Sequence, residues 1–96
     1  MQRSNAKPVG DIVRMFMRQE GLEAPYNEYK LIEAWNEVNG EGVSRYTGEL
    51  FIKNQTLVVK ISSPVVKNEL SMKRKKLVQQ LNNKVGAQVI TDIRFV

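Results

Sequence analysis

The stretch TLVVKISSPVVKNELSMKRKKLVQQL, Thr56 to Leu81, decides the architecture, because the spacing of its apolar residues changes midway. Leu57, Val59 and Ile61 recur at every second residue, which places them on one face of a β-strand. Ser63 then supplies a hydroxyl that can cap a helix opening on Pro64, the position where proline's missing N–H costs nothing. At 100° per residue, Val66, Leu70, Leu77 and Leu81 fall within about 60° of one another, so they form the buried stripe of one helix running to Gly86. Val65, Glu69, Met72, Lys75 and Lys76 lie on its opposite side, and Lys73 and Arg74 flank the stripe.

The rest of the chain reads outward from this unit. Glu49-Leu50-Phe51-Ile52 precedes a turn at Lys53-Asn54-Gln55 and completes a β-hairpin with Thr56–Ile61. After Gly86, alternation returns from Gln88 to Val96 with Val89, Thr91, Ile93 and Phe95 on one face, which predicts a third strand. Upstream, Ile12, Val13 and Phe16 carry helical spacing from Val9 to Glu20, with Asp11 at the start and Gly21 at the stop. Pro25-Tyr26-Asn27 reads as a break and a cap, followed by a helix with the stripe Leu31, Ala34, Trp35 and Val38 that ends at Asn39-Gly40. The order is α-α-β-β-α-β. This predicts an α+β two-layer sandwich, helices on one face of a three-stranded sheet, formed by a single domain over residues 9–96 behind a flexible basic arm at 1–8.

Composition narrows the function classes. The chain has 96 residues and a net charge of +5, but the charge is unevenly placed. Residues 1–52 hold six Lys/Arg against eight Asp/Glu, net −2, whereas residues 53–96 hold nine against two, net +7. Such a distribution suits a polyanionic partner for the second half. The absence of cysteine excludes disulfides and thiolate metal sites and fits a reducing compartment. No apolar run approaches the ~20 residues of a membrane span, and the opening MQRSNAKPVG is polar, so a cytoplasmic protein without a signal peptide is expected.

Catalysis has little to work with. There is no His or Cys to change protonation near neutrality, no serine stands in an elbow motif, and no Gly-rich loop resembles a phosphate cradle. Glu33 and Glu37 stand one helical turn apart, the pattern of a solvated face. No catalytic residue, metal site, cofactor or small-molecule substrate is expected. What the chain does have is the run Lys73-Arg74-Lys75-Lys76. One reading makes it a solubilising helix face. The other makes it a phosphate-tracking surface that includes Lys67, Lys84 and Lys60, with Lys53 and Arg94 as extensions, giving binding without sequence preference. Trp35 reads as a core anchor that a partner could also reach, and Met15, Met17 and Met72 are further candidates for partner contact because methionine packs adaptably.

In order and spacing, these features resemble a known family. Ala34-Trp35-Asn36-Glu37-Val38-Asn39-Gly40, Leu50 and the hairpin Thr56-Leu57-Val58-Val59-Lys60-Ile61 look like the W-x-x-V-x-G and G-x-L-x-V-x-V pattern of the DciA family. The similarity continues through Ser62-Ser63-Pro64-Val65-Val66-Lys67-Asn68-Glu69-Leu70, the Lys-rich helix ending Leu77-Val78-Gln79-Gln80-Leu81-Asn82, and Ile93-Arg94-Phe95. The resemblance implies a K-homology-like domain that acts in bacterial replication, binds DNA and the DnaB-type replicative helicase, and assists helicase loading or operation without hydrolysing ATP. A nucleoid-associated cytoplasmic protein would follow. Two alternatives stay open on the residues alone: an RNA-binding, ribosome-associated module, and a protein-only assembly adaptor whose basic helix meets an acidic partner.

Overall fold

A computed structural model of the protein describes residues 9–96, apart from the Met17 side chain; the expected arm at 1–8 lies outside the described residues. The elements are α1 (Val9–Gln19), α2 (Glu23–Ser44), β1 (Thr47–Lys53), β2 (Thr56–Ile61), α3 (Pro64–Met72), α4 (Arg74–Val85) and β3 (Asp92–Phe95). The predicted α+β sandwich is found, with one helix more than expected.

The strands order β1-β2-β3, so β2 is central. β1 and β2 are antiparallel, joined by a two-residue turn in which Asn54 and Gln55 both have positive φ, the primed geometry that matches the twist of a tight hairpin. β2 and β3 are parallel, which requires a long crossover, and α3 and α4 supply it. The register pairs Ile52 with Leu57 and Leu57 with Ile93, and Leu50 with Val59 and Val59 with Phe95. These side chains share the inner face. There α2 packs on β1, α3 on β2 and α4 on β3, and α2 and α4 pack on each other.

Leu31, Ala34 and Trp35 from α2, Leu57, Val59 and Ile61 from β2, Leu70, Leu77, Leu81 and Val85 from α3 and α4, and Ile90 and Ile93 form the core. Each fully buried aliphatic side chain contributes about 1.5–3 kcal/mol. Trp35 has no exposed surface. Its indole N–H donates to Thr47 Oγ1 at 3.1 Å, and that hydroxyl donates onward to the Val43 carbonyl at 2.9 Å. The ring's one polar atom is thereby satisfied inside the core.

Three elements differ from the sequence reading. The helix predicted from Pro64 to Gly86 is two helices, broken at Lys73 (φ −103°, ψ 11°), where the backbone leaves helical geometry without a glycine or proline to announce it. Ser63 does cap α3, its hydroxyl accepting from the Val66 N–H, and Gly86 ends α4 in the left-handed conformation that favours glycine. The last strand covers only Asp92–Phe95: Thr91 is exposed, and Ile90, off the predicted alternation, is fully buried. α2 begins before Pro25, which sits in the first turn where no intrahelical N–H bond is lost, and non-helical backbone at Gly40 (φ 80°, ψ 178°) separates its last turn from the rest.

Candidate nucleic-acid interface

The break at Lys73 arranges the cations. Because α3 stops and α4 restarts there, Lys73 occupies a corner and Arg74, Lys75 and Lys76 form the first turn of α4, all exposed. No side chain caps this helix start, so its positive dipole end adds to the side-chain charge. The corner is held against the sheet edge by Arg74, whose Nε lies 3.2 Å from Asp92 Oδ1 on β3. That same carboxylate oxygen accepts the Ile93 N–H at 2.8 Å, which fixes its position. Both partners are about half exposed, at 50% and 55%, so the pair is worth at most about 1 kcal/mol and an incoming phosphate can compete for the arginine.

Between the corner and the sheet lies an open cavity of about 580 Å³. Lys53, Asn54, Thr56, Val58 and Arg94 line it from the hairpin and the strands, and Ser71 and Arg74 from the corner. Three cations and the single carboxylate of Asp92 surround it. The basic surface therefore continues from the helices onto the sheet.

The predicted phosphate contacts do not all meet here. Arg74 lines the cavity, and Lys73, Lys75 and Lys76 surround the same corner. Lys67 is half-buried one helix earlier, and Lys60 is exposed on the outer face of β2. Lys84 is drawn away: its Nζ lies 2.9 Å from Glu37 Oε2 on α2, and ten residues of helix put it about 15 Å along the axis from Arg74. Lys53 and Arg94, read as extensions, are central. Asn54, Thr56 and Ser71 were not singled out, since neutral polar residues in a turn and at a helix end carry no periodic signal.

The candidates for partner contact divide similarly. Trp35 is wholly inside, so its role is the core anchor and not a surface contact. Met72, 80% exposed at the end of α3, stands immediately before the corner, and Met15 is exposed on α1. The Met17 side chain lies outside the described residues. Among the described residues no cluster of three or more His, Cys, Asp or Glu could hold a metal, and no helix is long and apolar enough to cross a membrane.

No curated protein matches the chain. The family model described as "Dna[CI] antecedent, DciA" matches residues 8–95, over the helix order, hairpin and basic corner just described. The chain belongs to the DciA family, whose role is tied to loading of the DnaB-type helicase in replication.

Proposed function

We propose that the protein is a non-enzymatic accessory factor of bacterial replication, one domain over residues 9–96, that holds DNA on its basic corner while it engages the DnaB-type helicase. The observation that carries this reading is the gathering of Lys73, Arg74, Lys75 and Lys76 at the α3–α4 corner, beside a cavity that adds Lys53 and Arg94. Ammonium and guanidinium groups on an exposed corner contact phosphate oxygens and leave base edges unread, so the binding is independent of sequence and weakens with salt. Met72, adjacent to the corner, and Met15 on α1 are the apolar contacts assigned to the helicase. Such a factor works at the nucleoid.

The test is a titration of labelled DNA at several salt concentrations, with and without the host helicase, using the natural protein and a variant carrying Lys73→Glu, Arg74→Glu and Lys76→Glu. These side chains are exposed and the one ion pair lost, Arg74–Asp92, is worth at most about 1 kcal/mol, so the variant is expected to fold, which thermal unfolding checks. Its DNA affinity is expected to fall at least tenfold, while the natural protein binds DNA more tightly when the helicase is present. Unchanged affinity in the folded variant would remove the corner from the interface. Preference for structured RNA over DNA would move the protein to an RNA-binding role.

A further inference from the structure

The outer face of the sheet has no covering element among the described residues. Side chains alternate along each strand, so while Leu57, Val59, Ile61 and Ile93 are buried under the helices, the register places Phe51, Val58 and Arg94 in one row across the opposite face. The neighbouring row is Lys53, Thr56 and Asp92, and Lys60 follows Val58 on the same face of β2. Phe51 is 43% exposed. The other sheet aromatic, Phe95, points inward, its ring centroid 6.2 Å from that of Trp35. Phe51 is thus an aromatic ring on open sheet, one strand from Val58 on the cavity wall, between Lys53 along its own strand and Arg94 across the row.

We propose that this face is a binding platform for single-stranded DNA, on which the Phe51 ring stacks with an unpaired base while Lys53, Arg94 and Arg74 hold the flanking phosphates. The proposal deepens the DNA-binding reading above and rests on it. Charge complementarity selects the occupant: Lys53, Lys60 and Arg94 stand on this face against Glu49, two residues before the ring on its own strand, and the one carboxylate lining the cavity, Asp92, is offset by Arg74. Strandedness follows from the ring. A duplex offers phosphates and groove edges but keeps the faces of its bases stacked inside, so an exposed aromatic side chain on a sheet gains stacking from a base only when that base is unpaired. Every base has a stackable face, so the platform adds affinity without adding sequence preference.

The experiment compares labelled oligothymidine, a duplex of the same length and a single-stranded RNA, each titrated with the natural protein, Phe51→Ala, Phe51→Trp and Arg94→Ala. Thermal unfolding and emission from the buried Trp35 confirm that each variant is folded. The expected result is tighter binding of the single-stranded DNA than of the duplex by the natural protein. Phe51→Ala should lower single-strand affinity roughly tenfold, with duplex affinity and the salt dependence unchanged. Phe51→Trp should keep the affinity and show quenched emission on binding, and Arg94→Ala should make binding less salt-dependent. Natural affinity in Phe51→Ala, or equal losses on both DNA forms, would overturn the platform while leaving the corner's role intact. Preference for RNA would likewise overturn it. Failure of the natural protein to bind any nucleic acid would overturn the underlying reading as well.

Discussion

Asn82 shows how one polar side chain can position a strand that the proposed interface depends on. Among the described residues it is the one buried polar side chain, 7% exposed, and its amide bonds seven and eight residues ahead. Oδ1 accepts the N–H groups of Val89 and Ile90 at 3.0 and 3.1 Å, and Nδ2 donates to the Ile90 carbonyl at 2.8 Å. The Val89 and Ile90 N–H groups that the alternation offered to a strand are taken by this side chain, so β3 starts only at Asp92 and Ile90 turns into the core. Replacing Asn82 by alanine would leave those groups without their partner. We expect Asn82→Ala to cost about 2–4 kcal/mol, since each buried unpaired polar group costs about 1–3 kcal/mol and water recovers part of it. Thermal unfolding should register a drop of about 10 °C or more for a domain of this size. DNA affinity measured well below that transition should also weaken, because β3 carries Arg94 and the Asp92 partner of Arg74. This role was not legible in the sequence: an asparagine late in a helix has the same local pattern whether it faces water or clamps a loop.

The elements were legible where burial imposes a period and where a cap marks an end. The stripe Leu31, Ala34 and Trp35, the hairpin alternation, the Ser63-Pro64 start and the Gly86 stop each stand where the spacing put them, because a wrong register would expose the core. The break at Lys73 escaped because Leu70 and Leu77 remain buried on both sides of it, so a wheel drawn through a corner still shows one continuous stripe. That corner in turn bears on the candidate site, as it sets Arg74 against Asp92 of β3 while Lys73, Lys75 and Lys76 stand exposed around it. α1 illustrates the converse, an element formed on helical spacing with little burial. None of its described side chains is buried, Val13 is half-buried, and Val9, Ile12 and Phe16 are exposed on a helix that packs against α2. Apolar side chains left in water add almost nothing to stability. Deleting residues 1–20 should therefore leave a cooperatively unfolding domain whose midpoint shifts by no more than about 5 °C, the equivalent of about 1 kcal/mol. A collapse of the transition would show instead that α1 is integral to the core.

At the scale of the whole molecule, the charge asymmetry between the two halves of the sequence becomes an asymmetry between faces. Glu23, Glu28, Glu33, Glu37 and Glu41 all belong to α2 in the helical layer, where Glu37 also offsets Lys84. Lys53, Lys60 and Arg94 occupy the turn and outer face of the sheet, and the Lys73–Lys76 run adjoins them at the corner. Among the described residues, a polyanion approaching the sheet and corner thus meets cations in excess over the carboxylates Glu49, Glu69 and Asp92, whereas one approaching α2 is repelled. The count of contacts fixes a measurable slope. A single strand lying across the corner and sheet can engage about four or five of these cations at once, and each neutralised phosphate contributes about −0.7 to the slope of log K against log salt, so the natural protein should show a slope of about −3 to −3.5. Reversing Lys73, Arg74 and Lys76 removes up to three of those contacts and adds repulsion, which should bring the slope to about −1 with what binding remains. Titrations over a few-fold range of salt resolve that difference. A natural slope near −1 would mean that only one or two phosphates are held and that corner and sheet do not act as one surface. A steep slope that survived the reversal would place the DNA on another face of the molecule.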